Sequence, residues 1–185
     1  MNQDLVLIEQ IKKKGSEVAA NELVKNYYRE IYHYVYKQTL DQEQSLDLTQ
    51  EIFINMLQAL YRFEGKRSSF RTWLYKIATY KVVDYFRSRH YKVQKLSVEI
   101  NDMEFGNEKD FTNTLLQKEE VKGVIDVING LETSFQQIIR LKLFTDYTFQ
   151  DIAETLQIPE STVKTRYYRS LKHVKAELKE ADKDA

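Results

Sequence analysis

One proline and five glycines are all that 185 residues contain of the two strongest helix breakers. Proline inside a helix costs about 3 kcal/mol and glycine about 1 kcal/mol relative to alanine. A chain that nearly avoids both can be written as long helices with few interruptions, so the expected fold class is all-α. The apolar period agrees. Leu5, Ile8 and Ile11 form one stripe over residues 3–14, and Leu23, Tyr27, Ile31, Tyr34 and Val35 recur three and four apart over 17–40. Ile52, Phe53, Met56, Leu57 and Leu60 repeat the pattern over 46–61. Residues 63–69 break it with Gly65 and paired serines and read as a loop; residues 70–89 are helical again, through Trp73, Leu74, Ile77, Val82, Tyr85 and Phe86.

The period lapses over 92–117, where Asn101, Asp102, Gly106, Asn107 and Asp110 crowd together, and returns from about 118. Val121, Val124, Ile125 and Ile128, then Phe135, Ile138, Ile139, Leu141 and Leu143 mark two more helices, followed by short ones near 148–156 and 160–179. The expected organisation is two small helical domains, 1–95 and 119–180, joined by an acidic flexible linker, 96–118.

The net charge is zero, with 28 basic and 28 acidic side chains, so an overall basic balance is no argument for nucleic acid. The distribution is. Residues 60–95 carry a net +8, residues 96–120 a net −5 and residues 1–59 a net −3. There is no cysteine, which excludes disulfides, cysteine zinc sites and thiol nucleophiles and suits the cytoplasm. Asp4 and Glu9 interrupt what a signal peptide would need, and the longest uncharged run, Ile52 to Tyr61, is ten residues, so no membrane insertion is expected. His33, His90 and His173 are scattered, and no phosphate loop or nucleophile elbow is present. No catalytic residue, metal site or cofactor is expected.

Three constellations remain. Thr148 with Asp151 is a capping box opening a helix whose apolar face is Ile152, Ala153 and Leu156, with Ala153 small enough for close approach. Pro159 then favours a helix start, and the next helix alternates a buried set, Val163, Tyr167, Leu171, Val174 and Leu178, with Lys164, Thr165, Tyr168, Arg169, Lys172 and Lys175. That is helix-turn-helix logic, the second helix bound for a major groove. The +8 block interleaves rings with cations, a composition suited to unpaired bases between phosphates. Glu43, Asp47 and Glu51 recur every four residues, a stripe that suits a basic protein partner or plain solvation. A regulator that only binds duplex DNA would use only the first of the three.

Taken in order, Asp47-Leu-Thr-Gln50-Glu51-Ile-Phe53, Phe70-Arg71-Thr-Trp73-Leu74-Tyr-Lys-Ile77-Ala78, Asp84-Tyr-Phe-Arg87 and Thr162-Val163-Lys164-Thr-Arg166 resemble the extracytoplasmic-function sigma factors of bacterial RNA polymerase, over roughly residues 5–180. The resemblance implies a region 2 bundle, a region 4 helix-turn-helix and a chain that directs promoter-specific initiation without being an enzyme. It implies core polymerase as partner, at its clamp and flap, with Asp47, Gln50, Glu51 and Phe53 on the clamp. It implies that Phe63, Lys66, Arg67, Ser69, Phe70, Arg71, Trp73, Tyr80, Lys81 and Arg87 face −10 DNA, which is captured single-stranded. Phe63 is expected to face solvent there. It implies that Ser161, Thr162, Lys164, Thr165, Arg166, Tyr168 and Arg169 face duplex −35 DNA, that the linker threads toward the polymerase active-site channel, and that a cognate anti-sigma factor masks the DNA-binding domains. The chain departs from the pattern at Tyr80, where an asparagine is common, at Leu131-Glu132 in place of Leu-Pro, and at Pro159 in place of a capping serine.

Overall fold

A computed structural model describes residues 3–66, 68–88 and 120–181, and the described residues are helical apart from their connections. Helix α1 spans Gln3–Lys14, α2 Glu17–Thr39, α3 Gln42–Ala59 and α4 Phe70–Arg87, with a 3-10 turn at Leu60–Arg62 between α3 and the loop before α4. Residues 120–130 form α5. Then follow α6 (Thr133–Phe144), α7 (Phe149–Leu156) and α8 (Glu160–Ala181). The expected linker, 96–118, and Arg67 lie outside the described residues.

Side-chain caps set most helix starts. Ser16 accepts from Ala19 N and opens α2, and Ser69 accepts from Thr72 N at 3.1 Å and opens α4. Helix α3 begins at 42 rather than the expected 46, because Asp41 accepts from Gln44 N at 3.0 Å and draws the preceding residues into the first turn. Thr148 and Asp151 form the expected capping box: Asp151 N donates to Thr148 Oγ1 at 3.1 Å and Thr148 N donates to Asp151 Oδ2 at 2.8 Å. The Thr148 hydroxyl also donates to Asp151 Oδ2 at 2.6 Å, and this bond together with the one from Thr148 N holds the Asp151 carboxyl below the usual carboxylate range. Helix α7 ends at Gln157, whose φ of 58° is left-handed and unusual for a residue with a side chain. Pro159 supplies the first carbonyl of α8, accepting from Val163 N at 3.1 Å.

The first four helices build a core from Leu23, Ile31, Val35, Ile52, Met56, Leu60, Leu74, Ala78 and Val82, all at or near zero exposure. Each large aliphatic buried this way is worth about 1.5–3 kcal/mol. The two sequence units do not keep separate cores. Helix α4 packs against α2 and α3 and also against α6 and α7. Ile125, Ile138, Leu141, Tyr147, Ile152 and Val163 accordingly belong to the same apolar cluster as the first four helices, and only Ile128, Ile139 and Val174 form a cluster of the second unit alone.

Arg140 on α6, fully buried, closes this seam: its Nη1 donates to Gln38 Oε1 on α2 at 2.9 Å, its Nη2 to the Asn129 side chain, and the guanidinium lies 4.7 Å from the Phe86 ring centre. A buried cation is tolerated only when its donors are used in this way.

Candidate nucleic-acid and partner interfaces

On α3, Asp47, Gln50 and Glu51 are exposed while Leu48, Thr49, Ile52, Phe53 and Met56 are buried. Three- and four-residue spacing therefore sorts the helix into a polar acidic face and a core face. Phe53 falls on the core face. It is 5% exposed and stacks on Tyr28 with centroids 5.8 Å apart, so it supports the acidic face from beneath and is not a contact residue on it. Ile54, one turn beyond Gln50, is 54% exposed, and Leu46 is also exposed. Both were missed from the sequence. Ile54 continues the 47–50–51 spacing and could have been found by extending the stripe across its apolar members.

The loop before α4 is an aromatic interior. Phe63 and Phe70 are buried, their centroids 5.8 Å apart and nearly perpendicular, and Trp73 lies 5.0 Å from Phe63 and 5.9 Å from Phe70. The expectation that Phe63 faces solvent is wrong, and Phe70 is likewise core. The Phe63 ring lies 3.6 Å from where a Cβ on Gly65 would stand, and the φ of 69° at Gly65 is the left-handed turn that glycine allows. Among the aromatic residues expected at −10 DNA, the exposed one is Tyr80.

The cations of this block divide. Arg71 is held by Glu30, with Nε donating to Oε1 at 2.7 Å; the same oxygen accepts from the Tyr75 hydroxyl at 2.9 Å. Burial works against the Arg71 charge, but Glu30 overrides it and holds the guanidinium above its ordinary value. The guanidinium also lies 5.1 Å from the ring centre of Tyr75 and 5.5 Å from that of Tyr147, which places it at the seam between the units. Burial pushes the Tyr147 hydroxyl up to about 12. Lys81 pairs with Glu51 of α3, joining the acidic face to the basic helix. Lys66 is exposed and 3.5 Å from Glu64; Arg87 is exposed at the end of α4; Ser69 is the α4 cap.

On α8, Ser161, Lys164, Thr165, Tyr168, Arg169, Lys172 and Lys175 are exposed, with Val163, Ser170 and Val174 buried on the opposite side. Lys164 pairs with Glu160 one turn back at 2.7 Å, which holds its ammonium above the usual value. Thr162 is half-buried, and Arg166 turns back over the Phe135 ring of α6 at 5.8 Å, so these two stand apart from the open face. Helix α7 crosses behind through Phe149, which contacts Tyr167 at 5.3 Å and Tyr168 at 6.0 Å. The pairing of a short capped helix with a long one bearing a polar basic face is the geometry that inserts a helix into a major groove.

Among the described residues no cluster of histidine, aspartate and glutamate could hold a metal ion, and no helix is long and apolar enough to cross a membrane.

Known proteins place this architecture. The Sigma-70 region 2 pattern matches residues 23–91 and the Sigma-70 region 4 pattern matches residues 123–174. The RNA polymerase sigma-H factor of Pseudomonas aeruginosa is 30% identical over 91% of this chain and 90% of its own. The extracytoplasmic-function sigma factor SigX of Bacillus subtilis is 29% identical over 81% of this chain and 78% of its own. The fold of CnrH, solved in complex with the cytosolic domain of CnrY, superposes with a TM-score of 0.63 over 98% of this chain and 99% of that one, at 20% identity. Two matched regions in the expected order, on helices that expose the faces such regions require, establish that the chain belongs to the sigma-70 family as an extracytoplasmic-function sigma factor.

Proposed function

We propose that the chain binds core RNA polymerase and directs promoter-specific initiation through separate surfaces on its two units. The acidic face of α3, Asp47, Gln50 and Glu51 with Ile54 as its apolar centre, docks on a basic polymerase surface at the clamp. The exposed edge of α4 and the preceding loop, Lys66, Ser69, Tyr80 and Arg87, meets the −10 element as it opens; the buried rings Phe63 and Phe70 and the half-buried Trp73 set the shape of that edge. The open face of α8, Ser161, Lys164, Thr165, Tyr168 and Arg169, reads the −35 element. The chain acts by binding and strand separation, with no covalent step, in the cytoplasm.

The observation that carries this reading is the separation of sign. An acidic exposed face on α3 and a basic exposed face on α8 lie in one chain, each backed by core. One face suits a cationic protein surface and the other a phosphate backbone. The −35 and −10 elements lie about two turns of duplex apart at ~34 Å per turn. Helices α4 and α7 touch in this structure, so engagement of both elements needs the seam to open. CnrH was solved with the cytosolic domain of CnrY, and a cognate anti-sigma factor of this chain would act on the closed form.

The test adds purified chain to core polymerase and measures promoter-dependent transcription. Reversing Asp47 and Glu51 to Lys replaces attraction with like-charge repulsion and should abolish holoenzyme assembly at every promoter while leaving the helical fold intact. Arg169→Ala should leave assembly intact and reduce initiation about ten-fold where the −35 element is needed. Full polymerase binding by the reversed protein would overturn the assignment.

A further inference from the structure

Arg140 is the largest fully buried side chain among the described residues, and it stands on α6 where the second unit meets the first. Two of its contacts cross the seam. Nη1 donates to Gln38 Oε1 on α2 at 2.9 Å, and the guanidinium lies 4.7 Å from the ring centre of Phe86 near the end of α4. Gln38 is 1% exposed, and its Nε2 donates to Tyr34 O at 2.7 Å, so the amide is fixed with its oxygen toward the arginine. None of the surfaces assigned to polymerase or DNA uses this contact.

A second contact closes the seam further along. Tyr147, buried in the connection between α6 and α7, lies 5.2 Å from the Tyr75 ring and 5.5 Å from the Arg71 guanidinium, centre to centre. The 15 residues from Arg71 to Phe86 span about 22 Å at 1.5 Å each. The second unit therefore lies along most of α4, the helix whose outer edge is read as the −10 surface.

A cation in such a contact acts differently from an apolar side chain. On closing, Arg140 gives up its water and regains what Gln38, Asn129 and Phe86 return. On opening, water satisfies all of its guanidinium donors again. An apolar side chain has the opposite preference, because opening only exposes its surface. Arginine at this point fixes the register of the seam through one amide and keeps the open form within reach. A seam that was apolar at both positions would close more firmly.

We infer that Arg140 and Gln38 form the latch of a self-inhibited free chain, holding the second unit along α4 until a promoter bearing both elements draws the units apart. This rests on the reading that α4 and α8 meet elements about two turns of duplex apart. Such a promoter binds the open form alone, so its affinity falls by the fraction of chain that is closed. Changing the latch changes that affinity without altering any side chain that meets DNA.

The full chain has no cysteine, so single cysteines introduced at the exposed positions Val18 and Lys179 carry a donor and an acceptor dye, one on each unit. Energy transfer is read in the free chain, in holoenzyme and in holoenzyme on a duplex fragment carrying both elements; promoter affinity, polymerase pull-down and circular dichroism accompany it. Wild type should show high transfer when free and lose it on the fragment. Gln38→Ala removes the acceptor across the seam and should lower transfer in the free chain and tighten binding to the fragment about ten-fold. Arg140→Leu combined with Gln38→Leu should keep transfer high and weaken that binding about ten-fold. Pull-down should be equal for all three, since the α3 face is exposed in the closed form. Equal transfer in the three free proteins, or lower transfer in the leucine pair than in wild type, would overturn the inference. Should Gln38→Ala lose helical signal, the leucine pair decides alone. If transfer follows the expected order but wild-type holoenzyme binds the two-element fragment no better than fragments with one element, the latch stands and the proposed division of the DNA surfaces falls.

Discussion

Helices α4 and α8 are both rich in rings and cations, yet α4 buries Phe70, Leu74, Tyr75, Ala78, Thr79, Val82, Val83 and Phe86, whereas α8 buries little beyond Val163, Ser170 and Val174. Helix α4 receives neighbours from both units, and its cations are drawn into pairs, Arg71 with Glu30 and Lys81 with Glu51. Helix α8 meets α6 and α7 along one side and leaves Lys164, Tyr168, Arg169, Lys172 and Lys175 in water. Residue type alone therefore does not mark a nucleic-acid surface. A tyrosine or arginine is available to DNA only where no second layer of helices has claimed it.

The sharpest way to break this contrast is to truncate one ring from each helix region. Phe63→Ala, at the buried entry to α4, should lower unfolding stability by about 3–5 kcal/mol. Tyr168→Ala, exposed on α8, should leave it within about 0.5 kcal/mol. Denaturant unfolding of the two variants checks this, and a reversed order would mean that the α4 rings are not core.

A smaller effect tests whether the second unit shares the core of the first. Arg140→Ala removes a donor from Gln38 and another from Asn129 inside the buried seam, for a loss of about 2–3 kcal/mol. The single tryptophan, Trp73, reports the first unit, although the substitution lies in the second. A shared core predicts that the Trp73 fluorescence transition moves with it. Independent units would leave that transition where it is.

The smallest effect concerns the cap that opens α7. Thr148 holds the Asp151 carboxyl below its ordinary value, so the charged form is favoured in the folded state. The stabilisation is present above the unfolded carboxyl range, near pH 4, and is lost as pH falls through the lower folded value. Asp151 lies near the surface, so the loss is at most about 1 kcal/mol. A pH series of unfolding curves should show it in the wild type, while Asp151→Asn should lack that component.

Helix positions were largely legible in the chain. The stripe over 3–14, the capping box at Thr148 and Asp151, the start after Pro159 and the exposed set Lys164, Thr165, Tyr168 and Arg169 all follow from local rules: a 3.6-residue period, a side chain within reach of free backbone donors, and a fixed φ. Such rules work where a helix has one apolar stripe and one wet face, as α8 does. Asp41 was passed over as the α3 cap because the residues after it, Gln42 to Ser45, carry no apolar period.

The candidate surfaces were legible in kind and misplaced in part. Phe63, Phe70 and Phe53 are rings beside charges in the sequence, and nothing local separates a stacking ring from a packed one. Their fate depends on the left-handed turn at Gly65, on Tyr28 reaching Phe53, and on Leu5 and Lys12 of α1 closing over a loop some fifty residues away. The resemblance assigned Arg166 and Arg71 to DNA, but Phe135 and Glu30, distant in the chain, hold them toward the protein.

What the sequence by itself determined is therefore the all-helical fold, its two units, the sign of each face and the helix bearing the open basic surface, because each depends on residues within a turn or two of one another. What only the tertiary structure decided is which side chains remain on those faces and that the two units share a core. Burial is a property of the second layer, and α4, packed on both units, has a second layer that its own periodicity cannot announce.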